Sequence, residues 1–188
     1  EALSVEDQRR VDENCGSFGS PEVNTTWNLG PTQIVARDGY ALLHSSTDKV
    51  PMWVCEHITT AEATTPATAK RRDKFAPEPF LSEGARSELV DYRGSGYDRG
   101  HMAPAGDFTQ DQRLKDETFF LSNMSPQEGA LNQRIWAALE DKVRAWALAR
   151  GEAYVYTGPL FYDPGEESLT TADGVVEYWV IGPNAVAI

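Results

Sequence analysis

Short apolar runs separated by turn residues mark the first third of the chain. Gln33-Ile34-Val35-Ala36-Arg37 and Tyr40-Ala41-Leu42-Leu43-His44 flank Asp38-Gly39, a two-residue hairpin signal. Val50 to Ile58 predicts another strand, with Pro51 at its start or on an edge. Ahead of these, residues 4 to 14 predict a short polar helix, with Ser4 and Asp7 resembling a capping box. Phe18 to Pro31 and residues 59 to 69 predict loops. Further on, Thr118 to Met124 predicts a strand, and Ser125-Pro126-Gln127-Glu128 supplies helix-start chemistry. The helix is expected from about Ala130 to Arg150, stopped by Gly151. Leu131, Ile135, Leu139, Val143 and Trp146 form its apolar stripe, expected to be buried. Ala153 to Gly158 and Val175 to Gly182 predict two more strands, and Pro183 to Ile188 starts what reads as another. No repeat or linker divides the chain, so residues 1 to 188 are expected to form one domain.

Charge complicates this ordinary globular pattern. The net charge of -12 opposes broad attraction to a polyanion. The distribution changes that reading. Residues 70 to 150 hold 13 of the 17 Lys and Arg against 13 of the 29 acids, and the last 38 residues hold no Lys or Arg. A cationic groove inside an acidic shell is therefore compatible with the composition. No apolar run approaches the ~20 residues of a membrane span, so no membrane partner is expected. Cys15 and Cys55 are too few for a structural zinc site without histidine help, and the chain has three histidines. A disulfide is their simplest use; two buried, unlinked thiols are the alternative. Closing this loop would stabilise the fold by roughly 4 kcal/mol in the chain-entropy model and would point to an oxidising compartment.

The chemistry concentrates in two places. Asp91 to Pro104 is too glycine-rich for a helix and holds His101 beside Asp98, Arg99 and Gly100. On the predicted helix, Asn132, Trp136, Glu140 and Arg144 share one slowly drifting face. Asn132 and Glu140 lie about 12 Å apart along the axis. They could share one ion if Asn132 binds it directly and Glu140 acts through a coordinated water, an arrangement magnesium tolerates. The plain alternative is a polar face with a Glu140–Arg144 ion pair. A neutral His101 could take a proton from water near pH 7. Phosphodiester hydrolysis needs such a base, a cation near the departing oxygen, and positive groups around the phosphate. Arg99, Arg144 and the cluster Lys70-Arg71-Arg72-Asp73-Lys74 could supply the last, although such a cluster also suits a solvated turn. Other motifs fit poorly. The third glycine of Gly94 to Gly100 comes one residue too late for a dinucleotide fingerprint, and no nucleophile elbow is present.

Asp98-Arg99-Gly100-His101 resembles the signature of the DNA/RNA non-specific endonucleases, which belong to the ββα-metal or His-Me finger nucleases. The likeness extends over Asp91 to Ala103, Thr118 to Asn123, Pro126-Gln127, Leu131 to Gln133, Trp136, Leu139-Glu140, Thr157 to Phe161 and Val180 to Gly182, and is strongest to the endonuclease G branch. It implies an α+β fold, with a ββα-metal finger at about 90 to 150 built on a mostly antiparallel central sheet flanked by helices. It implies His101 as general base, Asn132 as direct metal ligand and Glu140 as a metal residue acting through water. Arg144 corresponds to a phosphate-contacting arginine, and Arg99 to a phosphate or structural role. Arg71 or Arg72 corresponds to a further substrate-binding arginine. The implied cofactor is magnesium, with manganese or another divalent cation able to substitute. The implied partners are single- and double-stranded DNA and RNA, cut to leave 5′-phosphates, with a homodimer also compatible. A catalytically silent nucleic-acid-binding or toxin-type module of the same fold is the alternative. Family members continue past the last strand seen here. The resemblance thus implies a missing C-terminal segment or a separate C-terminal chain completing the fold. The expected setting is secreted or periplasmic, or mitochondrial on the likeness to endonuclease G.

Overall fold

The computed structural model describes residues 2–22, 30–159, 161–162 and 186–187. Helix α1 spans Val5–Cys15, and its N-cap Ser4 accepts a hydrogen bond from the Asp7 amide. Strands β1 (Thr32–Ala36) and β2 (Ala41–Ser45) form the expected antiparallel hairpin. Its turn is closed where the Arg37 amide donates to the Tyr40 carbonyl at 2.8 Å. Strand β3 (Pro51–Thr59) pairs with β2, and Pro51 is its first residue. The short helices α2 (Thr60–Thr64) and α3 (Leu89–Tyr92) precede β4 (Asp98–His101). Helix α4 (Gln112–Glu117), strand β5 (Met124–Gln127), helix α5 (Ala137–Arg150) and strand β6 (Glu152–Thr157) follow. Two short strands, β7 (Phe161–Tyr162) and β8 (Val186–Ala187), pair antiparallel. The main sheet runs β1-β2-β3-β6 and is antiparallel throughout, while β4 and β5 form a separate ribbon.

Strand alternation divides the core between the two faces of the main sheet. Ala41 and Leu43 turn toward Val11, Cys15, Trp53 and Cys55, which seats α1. Leu42 turns the other way, toward Tyr40, Val54, Met102, Ala103 and Phe108, which seats the segment after His101. The expected disulfide joins Cys15 to Cys55 and ties α1 to β3. Arg37, almost fully buried, pairs with the buried Glu78 at 2.5 Å and lies over the Phe80 and Phe120 rings.

Several local expectations differ from the structure. Residues 59 to 69, expected as loop, include helix α2, whose N-cap Thr59 and Glu62 form a capping box. The strand expected over Thr118 to Met124 is a helix end followed by a 3₁₀ turn at Leu121–Asn123. The strand starts at Met124 instead, where residues 124 to 127 pair with β4. That pairing draws Ser125-Pro126-Gln127 into a strand and overrides their helix-start chemistry. The helix after it begins with a π turn over Leu131–Trp136, and regular α geometry follows from Ala137. Its apolar stripe is also not buried: Ile135 is 70% exposed, and Leu139 and Trp146 are each 44% exposed. The helix meets the body of the protein through another flank, where Ala147 is fully buried and the Thr60 hydroxyl donates to the Gly151 carbonyl. The strand expected at Val175 to Gly182 lies outside the described residues.

Candidate active site

Strand β4 delivers His101, and its neighbours fix where that residue points. Gly100 faces β5 so closely that a Cβ there would lie 2.2 Å from the Gln127 side chain. Any larger residue there would have to displace the buried Gln127 side chain. Just beyond His101, the buried Asn123 clamps the backbone. Its Oδ1 accepts from the Ala103 amide at 2.9 Å, and its Nδ2 donates to the carbonyls of Ala103 and Thr118. The Met102 amide donates to the Asn123 carbonyl at 3.0 Å. His101 is 8% exposed and packs edge-on against Phe119, with Phe75 on another side. Burial, followed by the nearby Arg71 charge, pushes its pKa down to about 3, so the imidazole is neutral at neutral pH. The Arg99 guanidinium lies 4.0 Å over the Phe75 ring, and that of Arg71 lies 5.2 Å over Phe119.

The helix brings the second set of groups. Trp136 Nε1 donates to the His101 carbonyl at 3.2 Å, which joins the helix to the strand. Asn132 Nδ2 donates to Asp98 Oδ2 at 3.0 Å, and Gln133 Nε2 donates to the same oxygen at 2.8 Å. These bonds hold the Asp98 carboxyl below the usual carboxylate range. They also fix the Asn132 amide by its nitrogen, leaving the lone pairs of its oxygen for another partner. Burial pushes the Glu140 carboxyl up to about 7, with Arg144 opposing the shift.

Arg71, Arg99, His101, Asn132, Gln133 and Glu140 line one pocket of about 240 Å³. Arg144 stands beside it, one helical turn past Glu140. Its Nη1 donates to Asp107 Oδ1 and its Nη2 to Asp141 Oδ1, both at 2.6 Å. Of the two neighbouring upstream arginines, Arg71 reaches the pocket, whereas Arg72 pairs with Asp116 at 3.2 Å. Four polar residues at the site are absent from the sequence-based set: Asp98, Asn123, Gln133 and Asp107. Asp98 sits inside the Asp-Arg-Gly-His signature, so its position marks it. Asn123 lies within the stretch that carries the family likeness, but its bonds to Ala103, like that of Asp107 to Arg144, span at least twenty positions and leave no local pattern.

A model of the DNA/RNA non-specific endonuclease family matches residues 22–187. The chain belongs to the DNA/RNA non-specific endonuclease family. It is 44% identical over 127 residues to Nuclease C1 of Cunninghamella echinulata var. echinulata, covering 66% of this chain and 50% of that protein. It is 36% identical over 161 residues to human mitochondrial Endonuclease G, covering 85% of this chain and 52% of that protein. The chain thus spans about half the length of these relatives. The fold is similar to a crystal structure of the EndoG/EndoGI complex, described as showing the mechanism of EndoG inhibition. That match has a TM-score of 0.73 at 36% identity and covers 95% of this chain and 69% of the other. The likeness supports the ββα-metal fold, here strands β4 and β5 with the helix that follows.

A divalent cation fits what this endonuclease-family pocket offers. The available donors are oxygens: the Asn132 amide oxygen, freed by the bond to Asp98, and the Glu140 carboxylate. Among the described residues, no group of three or more His, Cys, Asp or Glu could hold a metal. The donor set therefore suits a hard cation that keeps most of its waters rather than one enclosed by thiolate and imidazole.

Proposed function

We propose that this chain carries the catalytic site of a magnesium-dependent endonuclease that hydrolyses phosphodiester bonds in DNA and RNA and leaves 5′-phosphates. The observation that carries the reading is the convergence of His101, Asn132, Glu140, Arg71 and Arg99 on one pocket. His101 takes a proton from the attacking water. Arg71 and Arg99 offset the charge of the phosphate, and Arg144 does so from the pocket's edge. Asn132 would hold the ion directly and Glu140 through a coordinated water. Bound there, magnesium or manganese supplies positive charge where the 3′ oxygen departs. Contacts of this kind address the backbone rather than the base edges, so sequence preference is weak. The arginines form a local cationic site on a chain of net charge -12. The disulfide favours an oxidising compartment, which suits a secreted or periplasmic protein. Several similar proteins are mitochondrial by name, which makes that the alternative setting.

The test is His101→Ala. Loss of a general base should slow cleavage by roughly 10²–10⁴-fold, with the cooperative fold retained at a lowered unfolding temperature, since the ring is buried. A folded variant that cleaves at the original rate would remove His101 from the mechanism.

A further inference from the structure

Arg144 is gripped by two carboxylates in opposite settings. The Asp107 side chain is 4% exposed and the Asp141 side chain 79%, although both bonds measure 2.6 Å. Asp107 belongs to the same clamped segment as His101, and its amide donates back to the Pro104 carbonyl at 3.1 Å. Between them, Gly106 lets the guanidinium approach the backbone closely. A Cβ at Gly106 would fall 2.9 Å from Arg144 Nη1 and 3.2 Å from Cζ. Gly106 is itself part of the pocket wall. The turn that follows the base therefore also fixes the arginine on the helix.

We infer that the two carboxylates have opposite roles: Asp107 is a positioning residue that aims Arg144 at the substrate, and Asp141 is a stand-in for phosphate that the substrate displaces. The inference rests on the reading of Arg144 as a phosphate-contacting group. The asymmetry follows from solvation. A buried carboxylate loses a great deal if its guanidinium leaves, because its charge remains unpaired in low dielectric. An exposed one is rehydrated at once, and its pair is worth little. An arriving phosphate can therefore exchange with Asp141 at Nη2 while Asp107 keeps Nη1. Release of Asp141 leaves one negative charge fewer on the guanidinium and admits another in its place.

The test is a set of double-mutant cycles on DNA cleavage with magnesium, reading kcat and KM separately. Arg144→Ala alone should be slow; a wild-type rate would overturn the reading of Arg144 and this inference with it. Asp107→Asn should lower kcat by about 10²-fold, the scale at which misplacement of a catalytic group is felt. In the Arg144→Ala background it should change kcat by less than about twofold, because coupled residues are non-additive. Equal losses in both backgrounds would make Asp107 merely structural, while leaving the role of Arg144 intact. Asp141→Asn should lower KM by about threefold, in keeping with an exposed ion pair, and only where Arg144 is present. A KM that rises, stays unchanged, or falls equally without Arg144 would overturn the stand-in role. Should Asp107→Asn fail to fold, Gly106→Ala gives an independent reading. Its new Cβ meets only the movable end of Arg144, so kcat should fall with the unfolding temperature retained. An unchanged kcat would overturn the positioning role.

Discussion

The two walls of the pocket are held in different ways. The strand wall, from β4 through Asp107, is fixed from within: Gly100 against Gln127, His101 between Phe75 and Phe119, and three bonds from a fully buried Asn123. The helix wall begins in a π turn and leaves Ile135, Leu139 and Trp146 exposed. Its functional side chains are fixed mainly by what the strand wall offers them. Asp98 holds Asn132, the His101 carbonyl holds Trp136, and Asp107 holds Arg144. One wall is a template and the other is aligned on it. On the proposed roles, the base sits on the template and the metal-binding oxygens on the aligned wall, so base geometry is insensitive to small shifts of the helix.

The largest effect should come from breaking the template. Asn123→Ala leaves the Ala103 amide and two carbonyls without partners and should destabilise the fold by roughly 3 kcal/mol, measured as the shift in urea midpoint. A loss under ~1 kcal/mol would mean the clamp is replaceable by water. Next comes the link between the walls. Asn132→Ala should raise the magnesium concentration for half-maximal cleavage by at least ~10-fold, and Asp98→Ala should move it the same way by less, since outer partners orient a ligand they do not replace. An Asp98→Ala effect on kcat alone, with the magnesium requirement unchanged, would break that link.

The pH response separates the walls again. Without metal, Glu140 keeps its proton below about 7, because burial raises its pKa. His101 stays neutral over the same range, since burial lowers it to about 3. At limiting magnesium, cleavage should therefore decline as pH falls through about 7, because the cation must displace the Glu140 proton. Excess magnesium should recover the rate. An acid limb that magnesium does not shift would assign it to His101 instead. The smallest effect is expected on the exposed helix face. Ile135→Ala should change stability by no more than ~0.5 kcal/mol, and a larger loss would show that this face is covered in solution.

The main sheet and the start of the template wall were legible in the sequence. Asp38-Gly39 marks the hairpin because few residue pairs suit that turn. The two cysteines pair as expected, and the likeness carried by Asp98-Arg99-Gly100-His101 marks the strand that bears His101. The aligned wall was less so. Reading residues 131 to 150 at 100° per residue assumes α geometry throughout, and the π turn at Leu131–Trp136 breaks that assumption before Glu140 is reached. An apolar stripe also reports only that a face resembles a buried one; it does not say which body covers it. The strand misplaced to Thr118 to Met124 has a similar origin. Phe119 and Leu121 are buried by the loops they meet rather than by ladder pairing, and β propensity does not distinguish the two. The clamp that Asn123 makes on Ala103, twenty residues away, and the bond from Asp107 to Arg144, thirty-seven away, leave no periodic or local pattern to read.

Cleavage of supercoiled plasmid and of RNA, with magnesium and with EDTA, tests the central claim most directly. The account predicts that both polymers are cut with magnesium, that neither is cut with EDTA, and that the new ends carry 5′-phosphates. Cleavage that persists in EDTA, or cleavage confined to one polymer, would contradict it.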